Sequence, residues 1–71
     1  MHALEVNTTT VKSVVEKFAG LHALPIHLTM AEMNLTYAQV VQLRSRMNQV
    51  FGKYPKIDLQ DTIVTITDKL I

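Results

Sequence analysis

The stretch "NLTYAQVVQLRSRMNQVFG", Asn34 to Gly52, decides the fold. Thr36 stands before a run with helical periodicity, and its hydroxyl can accept hydrogen bonds from the free N–H groups of a first turn. Gln39, three residues on, completes a capping-box pattern. Val40, Leu43, Met47, Val50 and Phe51 recur at spacings of three and four, so they share one face. Gly52 supplies the left-handed stop. A helix starting at Thr36 and ending before Gly52 follows. A bulky phenol, Tyr37, sits on its first turn.

Upstream, "NTTT" offers several caps ahead of "VKSVVEKFAG". Val11, Val14, Val15 and Phe18 fall at i, i+3, i+4 and i+7, which predicts an earlier helix closed by Gly20. Lys17 suits the negative end of that helix. Pro25 interrupts helix in the following segment, Leu21 to Leu35. That segment is long for a loop, yet it carries Leu24, Ile26, Leu28, Met30, Met33 and Leu35, so it is expected to pack onto the helices.

Downstream, "KYPKIDLQ" reads as a connector with a short helical turn near Leu59. The tail "DTIVTITDKLI" is ambiguous, because its β-branched residues favour a strand. Asp61 can cap a helix, however, and Ile63, Ile66 and Leu70 make a helical stripe. A lone strand has nothing to pair with. The expected fold is therefore all-α: a small bundle of three main helices plus a short one, with a long packed loop after the first.

At 71 residues the chain suits one domain over 1–71, with residues 1–8 expected to be flexible. Its 48% hydrophobic and 18% charged content argues for a packed globule over disorder. There is no cysteine, hence no disulfide or thiolate metal site. Net charge is +1 with a pI near 8.1, too balanced to point to nucleic acid or a membrane surface. No apolar run reaches the ~20 residues that span a bilayer. The opening "MHALEVNTTT" lacks a basic region followed by an apolar core, so no signal peptide is expected and a cytoplasmic compartment follows by default.

"MAEMNLTYAQVVQLRSRMNQVFG" resembles the central region of acyl and peptidyl carrier proteins, especially those of modular polyketide synthases. The family pattern there is an acidic residue, a hydrophobe, Gly, a hydrophobe and Asp-Ser-Leu, followed by a helix reading Val-Glu-Leu-Arg-Asn-Arg-Leu. Glu32, Met33, Asn34 and Leu35 stand in the places before the motif, and Val41 to Met47 match the helix. Thr62 and Ile63 match the start of the family's last helix. The resemblance covers nearly the whole chain and is weak before Pro25.

The family's serine carries phosphopantetheine, whose thiol bears the acyl cargo. Here the Asp-Ser-Leu triplet reads Thr36-Tyr37-Ala38, so Tyr37 occupies the serine position. Its oxygen lies several bonds farther from the backbone, and its bulk is wrong for a site shaped around serine. Thr36 is better explained as a cap, Ser45 lies two turns into the helix, and Ser13 belongs to the first helix. The resemblance thus implies a degenerate, non-acylated carrier with no cofactor. A functional acyl carrier protein with an unusual or engineered attachment site is the alternative.

Carrier proteins usually present acidic residues along this helix. From Tyr37 to Phe51 there is no Asp or Glu, but there are Arg44 and Arg46. A face of Tyr37, Ala38, Val41, Arg44 and Lys53 is the expected interface, suited to an acidic or apolar protein partner such as a synthase domain. Tyr and Arg are enriched at binding hot spots; Tyr37 as a space-filling surface aromatic is the plainer reading. His22 and His27, with no cysteine or acidic ligand pattern, make poor metal evidence. No catalytic carboxylate pair or nucleophile–base pattern is evident, so a monomeric, non-enzymatic interaction module is expected, without nucleic acid or membrane binding.

Overall fold

The computed structural model describes residues 4–71, in which three helices occur: α1 (Thr8–Ala19), α2 (Tyr37–Phe51) and α3 (Ile63–Leu70). Each begins with a reciprocal side-chain cap. Asn7 Oδ1 accepts from Thr10 N–H at 2.9 Å, and Thr10 Oγ1 accepts from Asn7 N–H at 3.1 Å. In α2 the pair is Thr36 with Gln39, at 3.2 and 2.8 Å. In α3 it is Thr62 with Thr65, at 3.2 and 2.8 Å. Such boxes satisfy two otherwise orphaned backbone donors per helix. The first two helices end at Gly20 and Gly52, at φ 69° and 76°. A side chain would be strained in that left-handed backbone.

Val11, Val15, Val40, Leu43, Met47, Ile63 and Ile66 have no exposed surface, and Leu70 has almost none. They form one core with the long loop, as the apolar residues of that loop suggested. Met30 is fully buried, while Leu24, Met33 and Leu35 are nearly so. Val14, Phe18 and Val50 flank the core half-buried.

The loop is also stitched by backbone bonds. Met30 N–H donates to Asp61 O at 2.9 Å, and Ala31 N–H to Leu59 O at 3.0 Å. Thr29 and Thr62 form an isolated antiparallel bridge. The tail's β-branched residues therefore do contribute one extended position, Thr62, immediately before the backbone turns into α3. Of the segment expected to be flexible, residues 1–3 lie outside the described residues. Leu4 N–H donates to Val50 O at 3.1 Å, Asn7 caps α1, and Thr8 is its first residue.

Two local expectations are corrected. The region near Leu59 is a hydrogen-bonded turn rather than a helix, closed by Asp61 N–H to Asp58 O at 3.0 Å, while Leu59 O accepts from the long loop. The cap of α3 is Thr62, not Asp61. Asp61 is instead a nearly buried junction. Its Oδ2 accepts from Asp58 N–H and from Lys69 Nζ, both at 2.7 Å, and its Oδ1 accepts from the Thr65 hydroxyl at 2.8 Å. Lys69 Nζ donates also to Lys56 O at 2.6 Å. Burial alone pushes the Asp61 carboxyl up; Lys69, Asp58 N–H and Thr65 together outweigh it and hold the carboxyl below its ordinary value.

Candidate functional site

Tyr37 is the first residue of α2 and is 63% exposed. Nothing in the core requires it there. Leu35, two residues earlier, is buried and anchors the chain, and Val40 begins the buried stripe of the helix. Tyr37 is thereby left outside, on the flank of α2 next to that stripe. Val41, one turn along, is half-buried, and Ala38 is exposed. The first turn has no acidic residue, and the helix N-terminus adds its own partial positive charge.

Thr36 and Gln39 are engaged in the cap, so the Thr36 hydroxyl serves as a structural acceptor. Just before it, Asn34 adopts φ 62°, a left-handed state that Asn tolerates better than most side chains. Asn34 N–H donates to Ala31 O at 3.0 Å, and Leu35 N–H to Met30 O at 3.2 Å. A second reciprocal pair fixes the approach: Thr29 N–H donates to a Glu32 carboxylate oxygen at 2.9 Å, and Glu32 N–H to Thr29 Oγ1 at 3.1 Å. The Thr29 backbone and side-chain hydrogen bonds hold the exposed Glu32 carboxyl below its ordinary value. Glu32 is thus a turn-forming residue.

The five residues expected to form one interface separate into three places. Tyr37, Ala38 and Val41 stay together at the start of α2. Arg44, two turns along the Tyr37 flank, is partly tied down: its Nε donates to Pro55 O at 2.9 Å, and its guanidinium carbon lies 4.7 Å from the centre of the Tyr54 ring. Lys53 lies beyond the far end of α2, about 24 Å along the axis from Tyr37 at the ordinary rise. Its Nζ donates to Ile71 O at 3.1 Å. Tyr54, half exposed, is the residue that sequence reasoning missed. It reaches Arg44 only because the chain reverses at Gly52, a contact no local spacing encodes.

The remaining side chains of interest lie apart. Ser45 and Ser13 are exposed on α2 and α1, and His22 and His27 are exposed on the loop. Among the described residues, no group of three or more His, Cys, Asp or Glu could hold a metal ion, and no helix is long and apolar enough to cross a membrane. No protein-family model, curated protein or solved structure matches the chain.

Proposed function

We propose that this chain is a non-acylated, carrier-protein-like interaction module, monomeric and cytoplasmic, serving as a docking or structural domain in a polyketide or related biosynthetic assembly line. The observation that carries the reading is Tyr37, exposed as the first residue of α2 at the place the carrier pattern gives to its cargo-bearing serine. Two further features support it. The order of helix, long packed loop, helix and short last helix fits the pattern. Asn34 holds positive φ at the position where the pattern has glycine. In this reading the protein binds no cofactor and performs no chemistry.

Recognition runs through Tyr37 with Ala38 and Val41 as the apolar centre. The Arg44–Tyr54 stack forms a pre-ordered rim beside it. Holding the guanidinium over the ring reduces the side-chain entropy lost on binding, and a cation–π contact at an exposed site contributes about 0.5–1 kcal/mol. The absence of acidic residues on α2 suits an acidic or apolar partner surface, such as that of a synthase domain or an enzyme of the same pathway.

Tyr37→Ala tests the interface. The fold should change by no more than about 0.5 kcal/mol, as for other exposed positions. Calorimetric titration against polyketide-synthase domains should show binding by the parent and a loss of about 1–2 kcal/mol in the variant. Equal affinities would reduce Tyr37 to a surface aromatic. The alternative, a working carrier with an unusual attachment residue, draws on exposed Ser45. That hydroxyl lies about 12 Å along α2 from Tyr37, far from the helix start.

A further inference from the structure

On the other flank of α2, a groove of about 260 Å³ runs between α1 and α2, lined by Leu4, Thr10, Ser13, Val14, Lys17, Arg46 and Val50. Arg46 is about 180° around the helix from Tyr37, so this is a separate surface, independent of the docking face proposed above. Its two ends differ in character. The Leu4 N–H bond to Val50 O sets the segment entering α1 against the last turn of α2. Thr10, Ser13, Val14 and Lys17 then climb one side of α1 over about 10 Å. Lys17 is two turns away from the Leu4 end, and Arg46 is one turn before Val50. The groove is therefore apolar at Leu4, Val14 and Val50 and cationic at Lys17 and Arg46, with two hydroxyls along its wall.

None of the lining residues is acidic. Glu16, the acid beside Lys17 on α1, directs its carboxylate to Leu24 N–H at 2.9 Å. Lys17 and Arg46 are both exposed. Two cations, with no carboxylate among the described lining residues, outweigh the partial negative charge of the α1 C-terminus and attract an anion. The volume lies at the lower edge of the roughly 300–1,000 Å³ usual for ligand pockets, which favours a small ligand. We propose that this groove binds a small amphiphile with a carboxylate head and a short aliphatic tail, the head between Lys17 and Arg46 and the tail over Val14 toward Leu4 and Val50.

Octanoate is the probe, titrated into the ¹⁵N-labelled protein while amide shifts are followed. Saturable shifts should concentrate on Leu4, Val14, Lys17, Arg46 and Val50. Lys17→Glu with Arg46→Glu should weaken binding at least tenfold; both residues are exposed, so the fold should survive, as the remaining amide spectrum would show. Octyltrimethylammonium, with the same tail and the opposite charge, should not bind there. Tyr37→Ala should leave octanoate binding unchanged, so the groove and the docking face stand or fall separately. The proposal is overturned if octanoate gives no saturable shifts, if they centre elsewhere, if the cationic amphiphile binds equally, or if charge reversal leaves affinity within twofold.

Discussion

Leu43→Ala should lower the unfolding free energy by about 2–5 kcal/mol. Leu43 lies in the middle of α2 with no exposed surface, in one cluster with residues of both other helices and the long loop. Truncation removes apolar atoms from water-free contact and leaves a cavity that the surrounding helices and packed loop cannot easily close. A chain of this length has a total stability of only about 4–11 kcal/mol, at ~0.05–0.15 kcal/mol per residue. The loss is therefore a large part of the whole. Urea unfolding should show a lower midpoint with an unchanged slope. A midpoint close to the parent's would mean that α2 packs through another face.

Asp61→Ala should cost about 2–3 kcal/mol at neutral pH, the scale of leaving buried or charged partners unsatisfied. The substitution takes the acceptor from Asp58 N–H, the ion-pair partner from Lys69, which keeps Lys56 O, and one acceptor from the Thr65 hydroxyl, which keeps Thr62 O. It also loosens the turn that hands the chain from the connector into α3. Lys69 is 37% exposed and regains water, so the cost stays below that of a fully buried ion pair. The pH dependence has a definite sign. The Asp61 carboxyl is held below its ordinary value in the folded state, so its contribution is complete above the unfolded pKa of about 4. It fades as pH falls through the folded value. The gap between parent and variant should thus be constant from about pH 7 to 5 and shrink below about pH 4. A gap that stays the same down to pH 2 would show that the carboxylate charge is not what holds the turn. Glu32, also held low, is present in both proteins and adds its own acid sensitivity equally.

The parts of the fold that were legible are those specified by local chemistry. Thr36 with Gln39, the Val40–Leu43–Met47–Phe51 stripe and Gly52 each determine their neighbours' conformation within one turn, and the helix lies where they put it. The same holds for Val11, Val15 and Gly20 in α1. Ile63, Ile66 and Leu70 settled the tail because burying that stripe outweighs the strand preference of its β-branched residues. The failures are tertiary. A helical turn near Leu59 was plausible from spacing, but the Leu59 carbonyl goes to Ala31 N–H across the chain. Asp61 and Thr62 are adjacent and both can cap. The Asp61 carboxylate goes to Asp58 N–H, the Thr65 hydroxyl and Lys69, eight residues later, and the cap falls to Thr62.

At the candidate site, Tyr37 was identifiable because an exposed aromatic stands where the carrier pattern has a serine. Its exposure follows from the buried Leu35 and Val40 on either side. Grouping Arg44 and Lys53 with it ignored the length of α2 and the chain reversal after it. The reversal brings Tyr54 and Pro55 to Arg44 and sends Lys53 to Ile71.

The central claim is that the start of this helix cannot accept a cargo arm. The direct measurement is incubation with coenzyme A and a broad-specificity phosphopantetheinyl transferase, followed by intact-mass and peptide-level mass spectrometry. The parent chain should gain no mass. Tyr37→Ser should load at most slowly, because Thr36 replaces the aspartate of the carrier pattern and its hydroxyl is engaged in the cap. A phosphopantetheine mass gain on the parent, whether at Tyr37, Ser45, Ser13 or any other residue, would contradict the claim and make this a working carrier.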